Sequence, residues 1–213
     1  MSLDPIRVLL VDDHVIARNG VRLMLGTAGD IDVAAEAENA GAALALLRAQ
    51  SFDVALLDIT MPGMNGLDLL RQLRALCPGT AALMLSTYSE EIYALRALKL
   101  GAAGYLTKDV ATPVLVEAVR RAAAGRKYVS ETLMDKLAAL VSGDAGAAGH
   151  EALSNRELEV FKLIATGEPL VQIGERLHLS PHTVTTYRTR ILEKMGLANN
   201  ADLTRYALEN GLI

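Results

Sequence analysis

Two hydrophobic periods alternate through the first half of the chain. Short apolar runs at Ile6–Val11, Ile31–Ala37, Val54–Leu57, Ala81–Ser86 and Ala102–Leu106 show little polar alternation, which predicts strands buried on both faces. Between and after them, apolar residues recur at helical spacing over His14–Leu25, Ala40–Gln50, Gly66–Leu76, Glu90–Leu100 and Thr112–Ala124. This β-then-α order predicts an α/β fold, a doubly wound (βα)5 parallel sheet. Right-handed crossovers place its ligands beyond the carboxyl ends of the strands, at the switch point.

The period changes after Gly125. Ser130 is placed to cap a helix running to about Val141, and the small residues of 142–149 predict a flexible linker. From Leu153 to Ile213 only helical periods remain, opened by a capping box at Ser154-Asn-Arg-Glu157. Leu170–Leu177, a break at His178-Leu179, then Ser180 as N-cap and Pro181 in the first turn spell helix, turn, helix. Stepping about 100° per residue from Val184 turns Ile191, Met195 and, less centrally, Tyr187 inward. His182, Thr185, Thr186, Thr189, Arg190 and Glu193 turn outward. The expected organisation is 1–126, a linker at 127–149, and an all-α helix-turn-helix domain at 150–213.

Composition narrows the function more than the fold. The chain is 51% hydrophobic and 22% charged, so it can build its cores without metals or bridges, and its one cysteine, Cys77, makes no internal disulfide. No apolar run approaches membrane-spanning length and no secretory pattern opens the chain, so a cytoplasmic protein without membrane partners is expected. Residues 1–149 carry 14 Lys+Arg against 17 Asp+Glu, and residues 150–213 carry 7 against 8. Neither part is basic, so nucleic-acid binding must come from a local patch, used in two copies.

The chemistry gathers at the strand ends. Asp12 and Asp13 follow the first strand, Asp58 follows the third, Ser86 ends the fourth, and Lys108 lies just past the fifth. Singly these read as an N-cap, a loop carboxylate, a strand-end hydroxyl and a solvated cation. Together, three carboxylates at one sheet edge repel unless a divalent cation or a lysine neutralises them, and hard oxygen ligands suit Mg²⁺. Asp58 is then the candidate nucleophile for a phosphoryl group.

These residues carry a resemblance. Val11-Asp12-Asp13-His14, Leu57-Asp58-Ile-Thr-Met-Pro62-Gly63-Met-Asn-Gly66, Leu85-Ser86-Thr87 and Gly101-Ala-Ala-Gly104-Tyr105-Leu-Thr-Lys108-Asp109 resemble the CheY-like receiver of a two-component response regulator of the NarL/FixJ type. The resemblance covers essentially the whole chain. It implies Asp58 as phosphoacceptor, Asp12 and Asp13 as the metal-binding acids with the backbone carbonyl of Thr60 as a further Mg²⁺ ligand, and Lys108 as the phosphate-pairing lysine. Ser86 and Tyr105 correspond to the switch pair. A phosphoryl group on Asp58 draws Ser86 toward it, Tyr105 rotates into the vacated space, and the face from Glu90 to Leu106 is remodelled. The resemblance further implies that the side chains of Thr60 and Tyr88 control water access to the phosphorylated site. Asp109 stands where many receivers have proline.

The second half resembles the LuxR-type helix-turn-helix through Leu153-Ser-Asn-Arg-Glu157-Leu-Glu-Val160, Ile173-Gly-Glu-Arg-Leu177, Leu179-Ser180-Pro-His-Thr183-Val184 and Ile191-Leu-Glu-Lys194-Met195-Gly196. Asn155, Gly174 and Tyr187 depart from the usual proline, alanine and histidine. The expected DNA-facing set is Ser180, His182, Thr183, Thr185, Thr186, Arg188, Thr189, Arg190 and Lys194, with Arg188, Arg190 and Lys194 reaching phosphates. The resemblance implies a sensor histidine kinase as donor, double-stranded DNA with an inverted repeat as target, and a homodimer on activation. Two rivals differ in chemistry. An aspartyl-phosphate hydrolase of the haloacid dehalogenase type needs a second acid where this chain has Thr60. A phosphorylation-independent dimeric transcription factor would keep the fold without using the acids.

Overall fold

The computed structural model describes residues 4–87, 90–130, 133–134 and 149–213. Tyr88, most of the helix expected at 130–141 and residues 142–148 of the expected linker lie outside them. The chain divides into two compact units, residues 1–138 and 139–213.

In the first unit, strands β1 (Ile6–Val11), β2 (Ile31–Ala37), β3 (Val54–Leu57), β4 (Ala81–Ser86) and β5 (Gly104–Thr107) form one parallel sheet in the order β2-β1-β3-β4-β5. Helices α1 (Val15–Leu25), α2 (Ala40–Ala49), α3 (Gly66–Leu76), α4 (Glu90–Lys99) and α5 (Thr112–Ala123) alternate with them, each within one residue of its expected bounds. Strand side chains alternate between faces. Val8, Leu10, Val54, Leu56, Leu83 and Leu85 therefore meet Val21 and Leu25 of α1 and Leu115 and Val119 of α5 in one buried cluster. Their neighbours Leu9, Val11, Leu57 and Met84 are equally buried on the other face. Hence the near absence of polar residues within these strands.

The fifth strand starts later than expected. The Ala102 amide bonds the Ala97 carbonyl at 2.9 Å and closes the turn after α4. The ladder with β4 therefore begins at Gly104, opposite Leu83. Beyond α5, Tyr128 donates its amide to Ala103, and Ser130 Oγ accepts the Leu133 amide at 3.2 Å, as an N-cap does.

The second unit opens with a short 3₁₀ turn, Gly149–Ala152. The last residue assigned to the linker, Gly149, thus belongs to a helical turn. Four α-helices follow among the described residues, α6 (Asn155–Ala165), α7 (Leu170–Leu177), α8 (Pro181–Met195) and α9 (Asn200–Glu209). The Ser154–Glu157 capping box is formed in full, and Ser180 Oγ caps α8 through the Thr183 amide. α7 ends on His178 in the left-handed region (φ 53°), which turns the chain sharply into α8. Phe161, Ile173, Val184, Ile191 and Leu203 form the core that fixes α7 against α8. Among the described residues no helix is long and apolar enough to cross a membrane.

Candidate functional site

The carboxyl edge of the sheet gathers the acids, because β1 and β3 are adjacent and parallel and each ends one residue before an aspartate. Ligand atoms of Asp12, Asp13, His14 and Asp58 all lie within 4.8 Å of one another. Lys108, just past β5, bridges two of these acids, with Nζ 2.6 Å from Asp12 Oδ2 and 2.8 Å from Asp58 Oδ2. Asp12 and Asp58 are buried and Lys108 is mostly covered. Asp13 is half-buried. Its Oδ1 is buried with no hydrogen-bond partner, although His14 Nδ1 comes within 2.8 Å without the alignment of a bond.

The electrostatics follow from this crowding. Burial pushes the Asp58 carboxyl up and nearby Asp12 adds to it, while Lys108 and the Thr60 backbone amide pull it down, leaving it at about 6. Burial alone would depress the Lys108 ammonium, but Asp58 and Asp12 outweigh it, so its pKa stays above the usual value. Asp12, Asp13 and Asp58, one of them with an orphaned oxygen, outnumber the single Lys108 ammonium, so the pocket is anionic, and beside the His14 ring its donors are hard carboxylate oxygens. That donor set fits Mg²⁺.

A tight backbone holds this pocket. A Cβ on Gly66 would fall 1.9 Å from the Asp58 carbonyl, so only glycine lets α3 begin against the Asp58 loop. Asn65 caps that helix by accepting from Asp68, and Arg18 donates to the Asp12 carbonyl at 2.6 Å. The sequence reading gave no role to His14 or Arg18. The signal for His14 was its place directly after the acid pair.

Ser86 and Tyr105 are both fully buried. Tyr105 is packed within the sheet, opposite Met84 in the ladder. The Lys108 amide donates to the Ser86 carbonyl at 2.8 Å, which joins the ends of β4 and β5 beside Asp58.

In the second unit, Val184 and Ile191 are buried and Met195 and Tyr187 half-buried, on the side expected to face inward. Ser180, His182, Thr185, Thr189, Arg190 and Lys194 are exposed, whereas Thr183, Thr186 and Arg188 are partly covered. The hydroxyls of Thr185, Thr186 and Thr189 donate to the carbonyls of Pro181, His182 and Thr185, at 3.0, 3.0 and 3.2 Å. Their hydrogens are thus used within the helix, and outward they offer oxygen lone pairs and methyl groups. Arg188 donates to Asn200 at 2.6 Å. Lys194 is already paired, 2.6 Å from Glu157 Oε2, so its charge is balanced before any phosphate approaches. Arg190 has no such partner among the described residues.

Comparisons with known proteins divide the chain in the same way. Residues 8–120 match the response regulator receiver domain, and residues 151–207 match the bacterial regulatory proteins of the luxR family. The chain is 34% identical over 208 residues to the response regulator UvrY of Escherichia coli O6:H1, spanning 97% of this chain and 95% of that protein. It is 36% identical over 210 residues to the probable transcriptional regulatory protein NarL of Mycobacterium tuberculosis, spanning 99% and 97%. The crystal structure of ChrA, the response regulator of a heme-sensing two-component system, aligns over 99% of this chain and all of its own, with 34% identity and a TM-score of 0.53.

Proposed function

The chain belongs to the NarL/FixJ family of two-component response regulators, transcription regulators that join a receiver to a LuxR-type DNA-binding domain, and on that premise we propose that phosphorylation of Asp58 is its control input. The observation that carries this reading is the acid cluster bridged by Lys108, with Asp13 Oδ1 buried without a hydrogen-bond partner. Asp12, Asp13 and Asp58, with the Thr60 carbonyl, would hold Mg²⁺, which neutralises charge on the phosphoryl oxygens. An Asp58 carboxyl at about 6 is ionised at neutral pH yet more basic than an ordinary aspartate, a suitable nucleophile. Its oxygen forms the new O–P bond while the P–N bond to a phosphohistidine of a sensor kinase breaks, and the imidazole leaves with the electron pair. Lys108 Nζ then exchanges its Asp58 contact for a phosphoryl oxygen. Ser86 and Tyr105 report the change to the rest of the receiver.

The output of this reading is DNA binding by a dimer, with residues 1–126 as receiver, 150–213 as reader and 127–149 joining them. Each reader has a net charge of −1 and one free recognition-helix arginine, Arg190, so a single copy displaces few counterions. Two copies reading an inverted repeat double that number. Thr185, Thr186 and Thr189, presenting acceptors and methyls, favour bases that offer an amino group or a methyl in the major groove, namely C, A and T. His182 and Thr183 flank that set, while Ser180, Arg188 and Lys194 serve the backbone.

Intact-mass measurement with a small phosphodonor tests the input. One phosphoryl adduct is expected with Mg²⁺, none with EDTA, and none on Asp58→Asn. An adduct on Asp58→Asn at the wild-type rate overturns the assignment.

A further inference from the structure

The opposite edge of the receiver sheet holds a second polar feature that the phosphoacceptor chemistry does not use. Where β4 and β5 begin and α3 and α5 end, a cleft of about 280 Å³ is floored by Gly101, Ala103 and Ala122 and rimmed by Arg74, Arg126 and Lys127. It lies about 17 Å of strand away from the Asp58 edge, since β4 runs between the two from Ala81 to Ser86. The three rim cations come from different segments, the last turn of α3 and the chain leaving α5.

None of the three forms an ion pair among the described residues. Arg74 makes one bond to the Pro78 carbonyl, and Lys127 donates to the Ala102 carbonyl. A guanidinium and an ammonium have several donors each, so both retain unused N–H groups. The acid nearest in effect to Arg126, Glu117, is already bound to Arg121 at 2.8 Å. Burial lowers the Lys127 pKa, and the nearby Arg74 charge lowers it further. Like charges gathered around an open cleft without a counter-ion are stabilised by an anion with several oxygens.

The floor explains how an anion fits. Gly101 sits at φ 94°, and a Cβ there would meet Arg74 Nε at 3.2 Å, so the absent side chain is what lets the arginine lie along the cleft. The volume is at the small end of ligand sites, matching a phosphate group with a small substituent rather than a dinucleotide.

We infer that this cleft is a second anion site, selective for the phosphate dianion, either free or as a small phosphate monoester. It is independent of Asp58 phosphorylation. It lies where the chain leaves α5 and where Tyr128 bonds back to Ala103, so its occupancy ties that exit segment to the sheet.

Amide NMR of the full chain at fixed ionic strength tests it, with inorganic phosphate in one arm, glycerol phosphate in the second and chloride in the third. The amides of Gly79, Gly101 and Gly125 are expected to shift saturably with phosphate, with a Kd on the order of 1 mM. The second arm tells the sources apart. Tighter binding of glycerol phosphate marks an organic monoester as the ligand, and weaker binding marks free phosphate. The exposed pair Arg126→Gln with Lys127→Gln should weaken binding about tenfold or more, with the remaining spectrum unchanged. Arg126→Gln alone, fully at the surface, gives an intermediate loss even where the double variant folds poorly. Equal shifts in the variants, shifts only outside the cleft, or the same response to chloride overturn the inference.

Discussion

Replacing Asp58 by asparagine should stabilise the receiver in the absence of Mg²⁺, although it removes the proposed phosphoacceptor. Burial raises the Asp58 carboxyl from 3.8 to about 6 even with Lys108 opposing the shift. The folded state therefore holds this proton more tightly than the unfolded chain does, and stability from this group is fully present below pH 3.8 and lost as pH rises through about 6. Each pKa unit corresponds to about 1.4 kcal/mol, so above pH 7 the ionised carboxylate costs the fold about 3 kcal/mol. Asparagine keeps the shape without the charge, and Lys108 keeps its 2.6 Å contact with Asp12. Urea unfolding of the receiver, followed by an optical probe confined to it, should show Asp58→Asn more stable by up to about 3 kcal/mol at pH 8 in EDTA. The gap should close as pH falls toward 4. Added Mg²⁺ should stabilise the wild type more than the variant, because binding to the folded form alone raises its stability. A variant that is less stable at pH 8, or a gap that does not change with pH, refutes the burial argument.

Other perturbations test separate parts of the structure. Lys108→Ala leaves Asp12 and Asp58 facing each other, and should destabilise the metal-free receiver by about 3 kcal/mol without weakening Mg²⁺ affinity. The same variant should lose phosphorylation-dependent DNA binding, so a normal response in a binding assay contradicts the role given to Lys108. Gly174→Ala places a Cβ 2.8 Å from the Leu179 carbonyl, a backbone atom that cannot swing aside. It should cost about 1–3 kcal/mol in thermal unfolding of the reader and weaken DNA binding by shifting α8. His178→Gly relieves the left-handed conformation at φ 53° and should stabilise the reader by about 1 kcal/mol in the same assay. Glu157→Gln frees Lys194 from its partner, and should steepen the salt dependence of DNA binding by about one counterion, read from affinity across a salt series.

Strands buried on both faces are easy to read from sequence, since β3 has no polar position and β1 and β4 carry only Arg7 and Ser86 near their ends. β5 is harder. Ala102 and Ala103 are as apolar as the strand that follows, but the Ala102 amide closes a turn onto Ala97, and Ala103 only hands the chain to β4 through its bond to Ala82. The acid cluster was legible because strand order alone brings residues after β1 and β3 to one edge. The Lys108 bridge was half legible, as its position was clear but its simultaneous grip on Asp12 and Asp58 depends on side-chain reach. The reader shows the limit. The Lys194–Glu157 pair joins residues 37 positions apart on different helices, so no local spacing announces it. The cleft at the opposite edge was invisible for the same reason, being built from residues 74, 101 and 126 that meet only in the folded sheet.

The central claim is that phosphorylation of Asp58 controls DNA binding by the reader. Footprinting of the full chain on DNA selected from a random pool, with and without phosphodonor and Mg²⁺, measures this directly. The account predicts protection of an inverted repeat, with half-sites about one helical turn or a multiple apart, that appears on phosphorylation and is absent for Asp58→Asn. An identical footprint without phosphorylation, or protection of a single unrepeated site by a monomer, would contradict it.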